Sequence, residues 1–365
     1  MSSPLTRIGK AGPIIFKDVK PEDVNDWYIP LKDPLSGRAV INNVFVDLYN
    51  IGQCEPFIEV LYNQIEDFDG EKDFNLAIDW DTFDNKKIHL KYRAHRQPSI
   101  EGEFIILRRM PMELPNTDEL GMPEAIQFIL THENLNKGGL VVICGEPGNG
   151  KSTTTAAMIV DRLKMYSGFC LTLENPVEMP LHGRHNDGFC MQTPVDEGGF
   201  EEALSAAMRC YPTATNSMLF LGEIRSAETA AEALRISNNG HLVITTLHAS
   251  NVMTCLKRIL TLAKNKNMNE EEANGLLASS LRLVLYQKLE VTENKDGETV
   301  RRLKTSFLFS PDNQSPVANR IRSGNVDNMI TEVEQQNQLL RNNQVYKLLE
   351  TWKKSTDFSR LKESK

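Results

Sequence analysis

The sequence has no apolar run near the roughly 20 residues needed to cross a bilayer. Its most apolar stretch, residues 139–145, has the length of a buried strand. No apolar stretch follows the two basic residues of the first ten, which argues against a secretory signal and for a cytoplasmic protein. Paired cysteines are missing as well. Cys54, Cys144, Cys170, Cys190, Cys210 and Cys255 form no C-x-x-C, so neither a zinc site nor a secreted disulfide framework is expected. The thiols read as reduced and mostly buried. Basic excess is absent too. With 41 Lys and Arg against 49 Asp and Glu, the net charge of −8 leaves no global electrostatic footprint for nucleic acid. Neither internal repeats nor low-complexity tracts occur. What remains is 40% hydrophobic and 25% charged residues over 365 positions, a soluble globular composition long enough for two domains.

Residues 14–109 read as a small α+β domain. Val44, Val46 and Leu48 alternate as in a strand across 43–49, and residues 87–94 and 103–109 read as further strands. Phe57, Val60, Leu61 and Ile65 keep helical spacing within 55–68. Pro111 and Pro115 then interrupt regular structure, marking a linker at 110–117 between a domain of residues 1–109 and one of residues 118–365. Beyond the linker, strands and helices alternate, the mark of an α/β domain with a largely parallel sheet. Strands are expected at 140–144, 168–173, 218–221 and 241–247. Helices are expected at 151–165, 200–210, 227–236 and 270–285, with a hairpin turn at 294–297 and a mostly helical tail from Met329.

Gly145, Glu146, Pro147, Gly148, Asn149, Gly150, Lys151 and Ser152, followed by Thr153, fit G-x-x-x-x-G-K-[ST] between an expected strand and helix. Glycines let backbone N–H groups turn inward around phosphates without side-chain clash, and the helix N-terminus adds partial positive charge. Lys151 is expected to reach the β- and γ-phosphates of ATP, and the Ser152 hydroxyl to ligate Mg2+. A further acid is needed at a neighbouring strand end. Glu223, after Met218, Leu219, Phe220, Leu221 and Gly222, supplies it as a metal ligand or water polariser, though Asp is usual there. Glu174 and Glu178 follow the next strand, with Pro176 stiffening the turn, and either could orient or deprotonate water. His241 and His248 bracket another strand. Seven residues apart, they are not expected to share a metal, but a strand-end His facing the site can sense the γ-phosphate.

With these residues in place, the sequence from about residue 119 to residue 330 resembles the PilT/GspE-type secretion traffic ATPases. These are the hexameric motors of type IV pili, type II secretion and type IV secretion systems. The resemblance rests on four blocks in the family's order: the Walker A loop; Leu173-Glu-Asn-Pro-Val-Glu178 at the Asp box; Leu221-Gly-Glu-Ile-Arg225 at Walker B; and residues 240–248 at the His box. Asn175 stands where Asp is usual, and Ser226 where Asp is frequent. Ser315-Pro-Val-Ala-Asn-Arg-Ile-Arg322 is similar to a segment near the end of pilus retraction motors. The resemblance implies a RecA-like P-loop NTPase domain with a helical C-terminal region, preceded by a PAS-like α+β domain. It implies Glu178 as the water-activating base and Glu223 as the Walker B acid, with His241 and His248 lining the site. Arg93, Arg96 and Arg108 are its candidate arginines at the γ-phosphate, Arg108 aligning best. It further implies a cytoplasmic homohexamer that hydrolyses Mg-ATP and docks through protein partners on the inner-membrane platform of a pilus or secretion machine, with neither zinc nor nucleic acid expected.

Other P-loop classes fit less well. A GTPase would want N-K-x-D, and Asn294-Lys295-Asp296 falls one residue short. A small-molecule kinase would not need the acid-rich second loop or the strand-end histidines. A RecA-like nucleic-acid motor would share the fold, but the acidic balance and the lack of an aromatic, basic platform oppose it. A non-hydrolysing scaffold would not need Lys151, Ser152, Glu178 and Glu223 together. The lack of a C-x-x-C cluster favours the retraction and type IV secretion branches, and the Glu-Asn-Pro-Val-Glu form leans toward conjugation and type IVB secretion.

Overall fold

The computed structural model describes residues 19–352 apart from 42–43, 53, 83–85, 197–198, 213–214, 267 and 294–298. The chain divides into two units, residues 1–112 and 113–365.

Among the described residues, the first unit is an antiparallel sheet covered by an α-helix. It comprises β1 (Asp26–Pro30), β2 (Arg38–Ile41), β3 (Val44–Asp47), α1 (Cys54–Ile65), β4 (Asp73–Asp81), β5 (Lys87–Ser99) and β6 (Gly102–Arg109), with strand order β3-β2-β1-β6-β5-β4. β4 shows the cause in its sequence. Phe74, Leu76, Ile78 and Trp80 are buried while the residues between them are exposed, the alternation of a sheet with one wet face. The buried face packs on α1 through Phe57, whose ring centroid lies 5.1 Å from that of Trp27 and 5.0 Å from that of Trp80.

The second unit contains α2 (Glu124–Thr131), β7 (Gly139–Cys144), α3 (Lys151–Tyr166), β8 (Gly168–Glu174), β9 (Gly183–His185), β10 (Gly188–Pro194), α4 (Phe200–Ala207) and β11 (Ser217–Glu223). It continues with α5 (Ala227–Asn238), β12 (Leu242–Leu247), α6 (Val252–Asn265), α7 (Glu270–Ser280), β13 (Leu281–Glu293), β14 (Thr299–Phe309), α8 (Pro316–Arg322) and α9 (Ile330–Arg341). The strand order is β14-β13-β7-β12-β11-β8-β10-β9. The strands from β13 to β10 run parallel, and the pairings of β14 with β13 and β9 with β10 are antiparallel. β7 and β12 are buried at every residue because helices cover both faces. Along β7, Leu140, Val142 and Cys144 enter one core and Val141 and Ile143 the other. Parallel pairing brings the ends of β7, β8, β11 and β12 to one edge of the sheet, where an open α/β sheet binds ligands.

Two expected helices are shorter than their patterns, and the one expected over 200–210 ends at Ala207. The helix expected over 270–285 ends at Ser280, and Leu281 begins a strand that pairs with β7 from Leu140 to Cys144. Leu277, Leu281, Val284 and Leu285 keep a helical spacing, but all lie wholly buried, and the open edge of β7 offers that backbone a ladder. The hairpin turn expected at 294–297 lies outside the described residues, between β13 and β14. Among the described residues the six cysteines are free thiols, five of them buried, and no helix is long and apolar enough to cross a membrane.

Candidate functional site

The loop from β7 to α3 is shaped by its glycines. A Cβ on Gly145 would lie 2.4 Å from the Gln287 carbonyl oxygen, so a side chain there would collide with β13. Gly148 and Gly150 take φ of 78° and 76°, a region glycine enters without cost. Gly150 directly precedes α3, so the turn delivers Lys151 and Ser152 to the first helical turn, whose N–H groups lack intrahelical partners. Glu146, Pro147 and Gly148 are exposed at the loop's crest, and Thr153 follows in the helix.

The loop is also braced from the side. Wholly buried Gln287 donates through Nε2 to the Asn149 carbonyl at 2.6 Å, and Asn149 Oδ1 accepts the Leu289 N–H at 2.9 Å. Sequence reasoning missed this clasp. Its one signal is an amide within the apolar strand that starts at Leu281.

Lys151 is the centre of the constellation. Its Nζ lies 3.2 Å from the Glu146 carbonyl oxygen and 3.2 Å from His248 Nδ1. Burial lowers the pKa of its ammonium, opposed by the charges of Glu223 and Glu178. His248 Nε2 in turn lies 3.3 Å from Glu223 Oε1, so a neutral imidazole with its proton on Nε2 satisfies both neighbours. Glu223 Oε2 accepts Arg225 Nε at 2.8 Å. The register of β11 against β12 shifts between Leu221 and Glu223, which re-aims that strand end. Thr246 Oγ1 donates to the Gly222 carbonyl at 2.6 Å, and Arg258 holds the His248 carbonyl at 2.8 Å.

Beside this chain, Ser152 Oγ donates to Glu178 Oε2. The two carboxylates after β8 therefore differ. Glu178 reaches the helix start, whereas Glu174 is 3% exposed and accepts Gln192 Nε2 at 2.9 Å. Burial pushes the Glu174 carboxyl up, and the neighbouring charge of Glu178 adds to this. Asn175 donates to the Val195 carbonyl at 2.7 Å. The Ser152 hydroxyl and the Glu223 carboxylate are hard oxygen donors, which suit Mg2+ sharing its shell with water and phosphate.

The structure does not bring His241 to this cluster. It precedes β12, whereas His248 follows it, so the strand carries the two to opposite edges of the sheet. His241 instead lies 3.4 Å from Ser217 Oγ and packs on Tyr211, and burial lowers its pKa. The three arginines belong to the first unit. Arg93 on β5 is the cross-strand partner of Arg108 on β6, and Arg108 Nε donates to Asp26 Oδ1 at 2.8 Å. Arg96 is buried, bonded to Glu103 and to the Phe68 carbonyl at 3.2 Å each, and lies over the Phe74 ring. Its guanidinium is committed to holding that unit together.

The model of the family described as type II/IV secretion system protein matches residues 81–364. The chain is 33% identical over 224 residues to the type IV pilus ATPase PilU of Pseudomonas aeruginosa, covering 61% of this chain and 54% of that one. It is 31% identical over 230 residues to the uncharacterized protein YggR of Escherichia coli, covering 62% and 64%. The chain thus spans between about half and just under two thirds of the length of these curated relatives. Among solved structures it is similar to the pilus retraction motor PilT with bound ADP, at a TM-score of 0.62 and 23% identity over 90% of each chain. It is also similar to the Legionella pneumophila ATPase DotB, at a TM-score of 0.59 and 20% identity over 93% of this chain and 90% of that one. The shared architecture is the RecA-like α/β fold behind a β-rich N-terminal unit.

Proposed function

Because the chain belongs to the type II/IV secretion system protein family, we propose that it is a P-loop ATPase whose ATP hydrolysis does mechanical work on a type IV pilus or a type IV secretion or conjugation machine. In this reading six copies form a cytoplasmic ring that docks on the inner-membrane platform of that machine. The observation that carries the reading is the convergence of Lys151, Ser152, Glu178, Glu223 and His248 at the end of one glycine-turned loop. A relative named as a type IV pilus ATPase and another named as type II secretion system protein E support it over a nucleic-acid motor of the same fold.

Each residue then has a task. The backbone N–H groups from Gly148 to Ser152 cradle the phosphates, and Lys151 swings its ammonium from the Glu146 carbonyl and His248 toward the β- and γ-oxygens. Ser152 and Glu223 would hold Mg2+, which when bound neutralises charge on the phosphates. Glu178, released from the Ser152 hydroxyl, orients the attacking water and accepts its proton. His248 joins the ammonium to Glu223, so a change at the γ-phosphate reaches β11 and, through the Arg258 contact, α6.

The test is phosphate release from Mg-ATP by purified protein. Lys151→Ala should abolish it, because its ammonium is the one cationic group within residues 145–153. Full turnover in that variant would sink the assignment.

A further inference from the structure

β10 lies beside β8 and continues its parallel order, Gln192 facing Thr172 and Pro194 facing Glu174. Between Glu174 and the start of β9 the chain makes the arc that carries Glu178. The Gln192 side chain closes that arc. Its Nε2 donates to Glu174 Oε1 at 2.9 Å and to the Met179 carbonyl at 2.8 Å, while its Oε1 accepts the His182 N–H at 2.8 Å. The Gln192 N–H also reaches His182 Nδ1 at 3.3 Å. One amide thus ties three points of the arc, on both sides of Glu178, and one of them is the residue next to it.

The chemistry of the three contacts demands an amide. Two are acceptors, a carboxyl oxygen and a carbonyl, and need two N–H donors from one group; the third is an N–H and needs an acceptor. A carboxylate at this place offers no donor, and an apolar residue offers neither. The splint has a second strut at its far end. The Val195 N–H donates to the Glu174 carbonyl at 2.9 Å and Asn175 Nδ2 returns to the Val195 carbonyl. Asn175 therefore does structural work in the arc where a charged residue would face a carbonyl oxygen.

We propose that Gln192 is a positioning residue for the water-activating carboxylate: it fixes the arc from Glu174 to His182 so that Glu178 is held at the start of α3. This rests on the reading of the site as an ATPase centre with Glu178 as its base.

The experiment is single-turnover cleavage of Mg-ATP together with ATP affinity, for wild type, Lys151→Ala, Gln192→Ala and Gln192→Glu. Gln192→Ala should slow cleavage by about 10²-fold, the scale of a reacting group displaced by an ångström, while ATP affinity is retained. Gln192→Glu keeps the shape and regains one donor only when its carboxyl is protonated beside Glu174, Glu178 and His182. Its rate relative to wild type should therefore rise as pH is lowered from about 8 to about 6. Wild-type cleavage in Gln192→Ala, or a loss of affinity as large as the loss of rate, would overturn the assignment. A Gln192→Glu profile parallel to wild type would do so even if the alanine variant failed to fold. Wild-type protein that cleaves ATP no faster than Lys151→Ala would instead refute the ATPase reading, and this inference with it.

Discussion

Glu174 and Glu178 lie four residues apart, and burial separates their tasks. A buried carboxyl whose oxygen already accepts an amide is poorly placed to take a proton from water, while Glu178 reaches the start of α3 and accepts the Ser152 hydroxyl there. Glu178→Gln should therefore leave ATP bound but slow its cleavage by about 10² or more, the usual worth of a positioned base. Quench-flow with radiolabelled ATP reads this directly, and normal cleavage in Glu178→Gln with loss in Glu174→Gln would reverse the roles. A second residue-scale prediction concerns His132, 3% exposed, whose Nδ1 accepts the Asn134 N–H. Burial, with the charges of Arg162 and Lys137, lowers its pKa from 6.5 to about 4. The unfolded chain then binds a proton that the folded chain refuses, so stability is full above about pH 6.5 and is lost as pH falls toward about 4. His132→Asn keeps an acceptor without titrating, and its urea midpoint should fall less than that of wild type between pH 7 and pH 5. Equal falls would rule the histidine out. At this scale the sequence reveals residues bound by local spacing. Lys151 and Ser152 are legible because the turn that cradles a phosphate is contiguous. Gln192 and Gln287 are not, because their partners are distant in sequence and nothing near them forces the pairing. His241 is misplaced for a related reason: a strand's two ends look alike until its direction in the sheet is known.

At the scale of elements, the buried parallel strands are readable because their apolar runs have strand length and end in functional loops. β4 is legible in principle, its Phe74, Leu76, Ile78 and Trp80 alternating with exposed residues, yet the expectation built from 43–49, 87–94 and 103–109 omits it. The extension of α7 into 281–285 fails because a spacing that suits both a helix and a doubly buried strand is decided by the partner, here the edge of β7. That same strand then braces the phosphate loop. Gln287→Ala removes the donor to the buried Asn149 carbonyl, so stability should drop by about 1–3 kcal/mol and ATP affinity should fall, with cleavage of bound ATP little changed. Chemical denaturation and nucleotide titration on the same variant separate the two effects. Unchanged affinity would mean that the loop holds its shape without β13.

At the scale of the molecule, the family and the RecA-like fold are established, and the motor is the proposal. Hydrolysis becomes work only if a contact made in the triphosphate state is lost afterwards and the copies in a ring feel the difference. The most direct measurement is the light-scattering mass of the purified chain with and without a Mg-ATP analogue, with phosphate release read on the same preparation. A closed ring of about six subunits that releases phosphate is the expected result. A monomer or dimer with brisk turnover would contradict it, leaving a P-loop ATPase of this fold that is not a ring motor.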